Sequence, residues 1–311
     1  MSTKPLSIGV VGAGGIGSYY AGLAANGGHQ VTLLARGDHL KAIRTNGLEV
    51  SRPGEKFVTQ LNATDDGNAL RGLEYIIVAV KTYSLAEVGA TVAEAAKSGA
   101  TVVPLLNGVD VAERLEALGV PHNSLVGGLT SVSVFRTAPG KVERRSPFDR
   151  LIVGELNRSK SERTQRLVDA LNAEGVTAKV SDDIGLDLWR KYAFILPMNV
   201  ASGLTRGPVG DMLAIEGGRT LLSNVVSEIA AVSRVAGTAL DTQEEAKAQA
   251  AILALPPATT PSFLADLERG GPTELEALVA NISRLGKLHG VPTPVHDVAT
   301  VAFEAATKRK S

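Results

Sequence analysis

The sequence predicts an α/β domain with a parallel sheet, followed by an all-α domain. Short apolar, β-branched runs alternate with helical patterns through the first half of the chain, which is typical of β-α-β units. After about Asp182 the strand-like runs stop and long amphipathic segments follow. A chain of 311 residues is long enough for about two domains. We expect them to span residues 1–183 and 184–311.

The elements of the first domain follow from local patterns. Strands are expected at Leu6–Val11, Val31–Leu34, Tyr75–Val80 and Thr101–Leu106, and helices near Ile16, Leu40 and Leu85. Between Gly47 and Leu61, apolar residues alternate on both sides of the turn signal Pro53-Gly54, which predicts a hairpin-like insertion. Further strands are expected at Leu125–Phe135, Lys141–Glu143 and Leu151–Val153.

The second domain is predicted to be helical throughout. Its amphipathic segments are Leu186–Leu196, Leu221–Ala236, Ser262–Leu267, Leu275–His289 and Val295–Ala306. The apolar stripes of these segments are explained equally well by the core of the domain and by a subunit interface, so the sequence leaves a homodimer open.

The composition excludes several classes of function. The 32 basic and 32 acidic side chains form no charged block, so neither nucleic acid nor an anionic membrane surface is expected as a partner. There is no cysteine, and the five histidines are dispersed, so no metal site is predicted. No apolar run reaches the roughly 18 residues of a membrane span, and no signal peptide is recognisable. We therefore expect a cytoplasmic protein with a small-molecule substrate.

A glycine-rich loop directly follows the first strand and precedes a helix. It satisfies G-x-G-x-x-G with the residues Gly12, Ala13, Gly14, Gly15, Ile16 and Gly17. In this pattern the first glycine permits a tight turn, the second lets the backbone approach a pyrophosphate, and the third allows close packing of helix against strand. The context predicts a Rossmann-like, dinucleotide-binding domain.

The end of the second strand indicates which dinucleotide. An NAD site usually has an acidic residue there, which binds the ribose 2′-hydroxyl, whereas this chain has Arg36. A guanidinium can clasp a 2′-phosphate, so we predict NADP(H). Asp38 is interpreted as the N-cap of the next helix. Lys81 and Asn107 also follow strands; each is a candidate site residue, or else a solvated loop lysine and a plain turn.

Several stretches together resemble the ketopantoate reductase (2-dehydropantoate 2-reductase) family, within the two-domain 6-phosphogluconate dehydrogenase-like proteins. They are Gly12–Gly17, Leu34-Ala35-Arg36-Gly37 with His39-Leu40, Val80-Lys81-Thr82, Leu106-Asn107-Gly108-Val109, Asp187-Leu188-Trp189-Arg190-Lys191, and Pro261-Ser262 followed by Glu274. Their order and spacing cover most of the chain. The resemblance implies reduction of 2-dehydropantoate to pantoate with NADPH, with the nicotinamide between the two domains.

The resemblance also implies roles for single residues. Lys191 would be the general acid, because an ammonium both stabilises and protonates a developing alkoxide. Glu274 would bind the substrate hydroxyl and orient the lysine. The substrate would contact Asn107, Asn199 and Ser262. Asn107 would also contact the cofactor, at its nicotinamide, and Arg36 and Lys81 would contact the cofactor phosphates. From the residues alone, an exposed Arg190-Lys191 pair and helix-end roles for Ser262 and Glu274 stay open.

Two positions depart from the family pattern. Ile195 and Val209 stand where ketopantoate reductases carry asparagines, while Asn199 matches. Loss of two amides would favour a more apolar substrate. One alternative is therefore a related NADPH-dependent reductase of a different 2-oxo acid or an imine. Another is a non-catalytic NADP(H)-sensing protein, although such a protein would have no use for a proton donor at residue 191.

Overall fold

The chain forms two compact units. A computed structural model describes residues 4–269 and 272–308. The first unit comprises the described residues up to Leu106 together with Asp110–Ile184. The second unit comprises Asn107–Val109 and the described residues from Gly185 onward. Asn107 thus belongs to the second unit although the chain reaches it from a strand of the first.

Among its described residues, the first unit has twelve strands and five α-helices. The strands are β1 (Ser7–Val11), β2 (Gln30–Leu34), β3 (Leu48–Arg52), β4 (Glu55–Thr59), β5 (Asn62–Thr64), β6 (Tyr75–Val78), β7 (Thr101–Pro104), β8 (Gly127–Ser131), β9 (Val134–Ala138), β10 (Lys141–Arg144), β11 (Arg150–Gly154) and β12 (Thr177–Val180). The helices are α1 (Gly15–Asn26), α2 (Gly37–Asn46), α3 (Leu85–Lys97), α4 (Val111–Ala117) and α5 (Glu162–Ala173).

A five-stranded parallel sheet positions the glycine-rich loop, as the sequence predicted. Its order is β5-β2-β1-β6-β7. Val11, the last residue of β1, pairs with Leu34 of β2 and with Val78 of β6, so the three strands end level with one another. The strand order reverses at β1, and parallel sheets bind ligands outside the carboxyl ends of their strands at such a point. The segments that follow β1, β2 and β6 therefore share one edge.

Two smaller sheets complete the first unit. One has the order β4-β3-β10-β9, and in it β3 and β4 pair antiparallel across Pro53-Gly54, which confirms the predicted hairpin. The other has the order β12-β11-β8. The single strand predicted at Leu125–Phe135 is wrong. The chain divides there into β8 and β9, which pair with different partners, β11 and β10.

The second unit is largely helical, as predicted. Its helices are α6 (Ile184–Thr205), α7 (Val209–Leu213), α8 (Gly218–Val235), α9 (Thr242–Leu253), α10 (Ser262–Arg269), α11 (Asn281–His289) and α12 (Pro294–Lys308). α6 continues through Pro197 well beyond the predicted end at Leu196. The single helix predicted at Leu275–His289 is interrupted, because Glu276–Ala280 forms a π-helical turn before α11. The hydrophobic core of the second unit includes Trp189, Tyr192, Ile229 and Phe303.

The described residues contain neither a helix that could span a membrane nor a cluster of side chains that could bind a metal ion. No helix among residues 4–269 and 272–308 is both long and apolar enough to cross a membrane. Over the same ranges, His, Asp and Glu side chains form no group of three or more that could hold a metal ion.

Candidate active site

The glycine-rich loop folds in a way that requires glycine at its two ends. Gly12 has φ +107°, and a Cβ there would lie 2.7 Å from the backbone of Ala79 and Val80. A Cβ on Gly17 would lie 2.0 Å from the carbonyl oxygen of Gly12. Real Cβ atoms do not approach backbone so closely, so these two positions fix the turn from β1 into α1 for steric reasons.

The middle of the loop divides into a packed side and an open side. A Cβ on Gly15 would lie 2.3 Å from the carbonyl oxygen of Val134, so β9 covers that residue. At Gly14, by contrast, no described atom outside residues 13–15 lies within 4 Å of the position that a Cβ would take. Helix α1 begins next to this space and has no acidic residue in its first turn. Its amide groups and dipole favour an anion there, so the loop fits a pyrophosphate.

Arg36 and Lys81 follow β2 and β6 at the same edge of the sheet. Arg36 is exposed and forms no ion pair with any residue that the structure describes. It is also the N-cap residue of α2, so the N-cap role predicted for Asp38, which lies inside the first turn, is wrong. Lys81 is half-buried and precedes the short turn Thr82–Ser84. Two cationic side chains therefore follow strands that end at the same edge of the sheet as the glycine-rich loop.

The second unit brings Lys191 and Asn107 into direct contact. The Lys191 ammonium on α6 donates a hydrogen bond to Oδ1 of Asn107 at 2.9 Å. Burial lowers the pKa of Lys191 to about 8, although the negative charge of Glu274 acts in the opposite direction. A lysine with such a pKa is protonated at neutral pH and can still release its proton readily. This is the property that a general acid needs.

Ion pairs fix the helix that carries Lys191. The guanidinium of Arg190 donates to both carboxylate oxygens of Glu244 on α9, at 2.9 and 3.0 Å, and to Asp187 at 3.2 Å. Arg190 is exposed, whereas its neighbour Lys191 is half-buried and turned to Asn107. The two residues do not form the exposed basic pair that the sequence left open.

The other predicted site residues of the second unit differ in their surroundings. Glu274 is buried, at 4% exposure, and acts on Lys191 electrostatically. Asn199, at 3% exposure, lies two helical turns beyond Lys191 on α6, and its amide makes no hydrogen bond with any described residue. Ser262 is exposed at the start of α10, and its hydroxyl likewise has no described partner. The structure thus groups Lys191, Asn107 and Glu274 and does not join Ser262 to them.

The two departures from the family pattern separate in the structure. Ile195 is half-buried on α6, one turn after Lys191. The expectation that Val209 alters substrate binding is wrong, because this side chain has no exposed surface. It packs in an apolar cluster whose other members are Ala201, Met212, Leu222, Val226 and Ile252. Val209 therefore stabilises the helical core and cannot contact a ligand in this conformation.

Tyr192 was not predicted from the sequence as a residue of this region. Its hydroxyl donates to the carbonyl oxygens of Ala277 and Leu278, in the turn just after Glu274. In the sequence, Tyr192 reads as one more apolar-facing residue of an amphipathic helix. Two signals were available in the sequence. Tyr192 directly follows Lys191, and the hydroxyl of a buried tyrosine needs a hydrogen-bond partner.

Comparisons with known proteins identify the family of this chain. Residues 8–158 match the family described as ketopantoate reductase PanE/ApbA, and residues 183–306 match its C-terminal part. The chain is 30% identical to a 2-dehydropantoate 2-reductase of Mesorhizobium japonicum, over 94% of this chain and 95% of the relative.

Solved structures share the fold. A crystal structure of a putative ketopantoate reductase from Ralstonia solanacearum is 28% identical, with a TM-score of 0.87 over 99% of both chains. D-mandelate dehydrogenase, solved with NADH and anilino(oxo)acetate, has a TM-score of 0.85 over 97% of this chain and 98% of its own. At 24% identity that second likeness concerns the fold alone. The chain belongs to the ketopantoate reductase PanE/ApbA family of oxidoreductases.

Proposed function

We propose that this protein reduces a 2-oxo acid with NADPH, that ketopantoate is its leading substrate, and that Lys191 is the general acid. The observation that carries the proposal is the Lys191 ammonium, which is bonded to Asn107 at 2.9 Å and has its pKa lowered to about 8. A protein that merely binds a dinucleotide has no need of a lysine tuned in this way. The non-catalytic alternative is therefore the weaker one.

Residues of the first unit fit the cofactor. When bound, NADPH supplies the hydride that reaches the ketone carbon. The amide groups at the start of α1 and the open side of Gly14 would hold the pyrophosphate, and Arg36 would clasp the 2′-phosphate. Lys81 would contact a further phosphate oxygen. NAD sites usually have an acidic residue where this chain has Arg36, so the ribose 2′-hydroxyl of NADH would lack its usual acceptor.

Residues of the second unit would handle the substrate. As negative charge develops on the ketone oxygen, Lys191 would stabilise it and then transfer a proton from Nζ. Asn107 and Glu274 would keep the ammonium in place, and Glu274 would also accept a hydrogen bond from a substrate hydroxyl. Asn199 and Ser262 would bind the remaining polar groups of the substrate, because their side chains make no hydrogen bonds with described residues.

Loss of NADPH absorbance with a panel of 2-oxo acids tests the proposal. The panel contains ketopantoate, aliphatic 2-oxo acids of increasing size and an aromatic 2-oxo acid, and the 2-hydroxy acid product is identified by mass spectrometry. We expect turnover of ketopantoate at an ordinary efficiency, roughly 10⁴ M⁻¹s⁻¹ or more. Saturable NADPH binding without turnover of any panel member would favour the sensor instead.

One observation favours a second candidate within the same chemistry. Ile195 places a half-buried apolar side chain one turn from Lys191, where ketopantoate reductases carry an amide. An apolar group there would favour a larger, less hydroxylated 2-oxo acid by about 1–3 kcal/mol. If the panel yields turnover of apolar 2-oxo acids but not of ketopantoate, this candidate replaces the first. Ile195→Asn should then shift the preference toward ketopantoate.

The pKa of Lys191 predicts how activity depends on pH. Reduction requires the protonated ammonium, and burial has lowered the pKa of this group to about 8. The value of kcat/KM should therefore be level near neutral pH and fall as the pH rises through about 8. Initial rates with an accepted 2-oxo acid, measured from about pH 6 to about pH 10, check this. A profile without a fall across that range would contradict the assigned proton donor.

The loop glycines give a paired prediction. Gly14→Ala adds a methyl group where no described atom outside residues 13–15 lies within 4 Å, so the folded protein should keep its stability. The methyl group would occupy the pyrophosphate position and raise the Kd for NADPH about tenfold or more. Gly17→Ala is the matched variant: its Cβ would collide with Gly12, and we expect a loss of about 1–3 kcal/mol in unfolding free energy. Thermal unfolding and fluorescence titration separate the two effects. Unaltered NADPH affinity in Gly14→Ala would contradict the proposed pyrophosphate position.

A further inference from the structure

The hydroxyl of Tyr192 is bonded to the chain segment that carries Glu274. Its single hydrogen is shared between two acceptors, the carbonyl oxygen of Ala277 at 2.7 Å and that of Leu278 at 2.5 Å. The side chain is 1% exposed, and its ring meets Trp189 edge-on with the ring centroids 6.0 Å apart. The packing fixes the ring, and the shared hydrogen bond fixes the hydroxyl. Tyr192 is thus a rigid link between α6 and this segment.

The carbonyls that Tyr192 contacts belong to the π-helical turn Glu276–Ala280. A π turn holds more residues than an α turn, so it rotates the residues before it relative to those after it. The direction of the Glu274 side chain therefore depends on the register of this turn. Leu278 also donates its amide hydrogen to the carbonyl oxygen of Glu274, at 2.9 Å. One residue, Leu278, is bonded to both Tyr192 and Glu274.

The carboxylate at the end of this link acts on Lys191. Its negative charge raises the pKa of the ammonium against the larger, lowering effect of burial. The Asn107 amide, which accepts the hydrogen bond from Lys191, carries no charge. Glu274 is 4% exposed, so solvent screens its charge little. A small displacement of the Glu274 carboxylate should therefore change the protonation of Lys191.

We propose that Tyr192 is a positioning residue: it holds the π-helical turn in the register that keeps the Glu274 carboxylate within electrostatic reach of the Lys191 ammonium. The proposal rests on the proposed function of Lys191 as proton donor. Tyr192 acts through Glu274 and has no contact of its own with substrate, because the carbonyls of the turn engage its hydroxyl.

Tyr192→Phe tests the proposal, since it removes the hydroxyl and keeps the ring. With the turn released, Glu274 moves away from Lys191 and supports its charged form less, so the pKa of Lys191 falls. We expect the fall of kcat/KM at alkaline pH to begin at a lower pH than in the unmodified protein. At pH 8 we expect kcat to be about tenfold lower, with the Kd for NADPH unchanged.

Two controls separate positioning from a general loss of stability. Tyr75 is also buried, and its hydroxyl donates to the carbonyl oxygen of Arg163 at 2.9 Å in the first unit. Tyr75→Phe removes a similar hydrogen bond and should leave the pH profile in place. In a Glu274→Gln background, Tyr192→Phe should produce no further shift, because the charge through which it acts is gone. Equal shifts in the two Tyr→Phe variants, or additive effects in the double variant, would overturn the proposal.

A direct titration of Lys191 tests the proposal without any need for turnover. In protein labelled with ¹³C at lysine Cε, the chemical shift of Lys191 reports its ionisation, and loss of the signal in Lys191→Arg assigns it. A lower pKa in Tyr192→Phe supports the proposal, even if no 2-oxo acid is turned over and the proposed function fails. An unchanged pKa overturns it, even if the protein proves to be an active reductase.

Discussion

Lys191→Ala is expected to lower the turnover of an accepted 2-oxo acid by about 10²-fold or more and to leave the affinity for NADPH nearly unchanged. The loss follows from the chemistry of the ketone oxygen, which must receive a proton as the hydride arrives. No described group other than Lys191 combines burial, a bond to Asn107 and a pKa of about 8. The Kd should not change, because the groups proposed to bind the phosphates lie in the first unit.

Kinetics with saturating NADPH and fluorescence titration of the free variant give the two quantities. Lys287→Ala is a matched control, because Lys287 lies in the last turn of α11, is exposed, and forms no ion pair with a described residue. It should behave as the unmodified protein does. Unchanged turnover in Lys191→Ala would remove Lys191 from the mechanism, whatever the substrate.

Arg36→Gln is expected to lower the preference for NADPH over NADH by about 30-fold. A guanidinium that clasps a 2′-phosphate contributes charge-assisted hydrogen bonds worth about 1.5–3 kcal/mol, and NADH has no phosphate to receive them. Arg36 is exposed and has no ion-pair partner among the described residues, so its charge is available to a ligand. The variant should lose affinity for NADPH while its affinity for NADH stays about the same.

The comparison of kcat/KM for the two cofactors measures this preference, and added salt should reduce it further. Arg44→Gln serves as the control on the same helix. Arg44 is engaged with Asp65 at 3.8 Å and with the carbonyl oxygen of Ala63 at 2.9 Å, so its loss should not affect cofactor choice. An equal preference for NADPH and NADH in the unmodified protein would refute the assignment of the cofactor.

The parts of the fold that the sequence predicted are those with local patterns. The strands β1, β2 and β6, the glycine-rich loop and the hairpin of β3 and β4 all follow from periodicity and turn residues close in the chain. The division of Leu125–Phe135 into β8 and β9 could not be predicted in this way, because it depends on pairing with strands that lie far away in the chain. β10, the partner of β9, also pairs with β3, far earlier in the chain.

The same distinction holds for the candidate site. The spacing of Trp189, Lys191 and Glu274 pointed to a family, but no local pattern predicts that Lys191 meets Asn107, which lies 84 residues away in the chain. The π-helical turn after Glu274 was also unpredicted, because the apolar periodicity of Leu275–His289 runs on through it. For Val209 the family resemblance suggested a contact with the ligand, but in the structure this side chain packs in the hydrophobic core.

The most direct test of the central claim follows the hydride itself. The protein is incubated with an accepted 2-oxo acid and, in separate reactions, with NADPH that carries deuterium on either face of nicotinamide C4. Mass spectrometry then locates the label in the product. We expect a 2-hydroxy acid with deuterium on C2 from one of the two labelled cofactors, and no label on C2 from heavy water. Product without deuterium on C2 from either cofactor, or no 2-hydroxy acid from any member of the panel, would contradict the central claim.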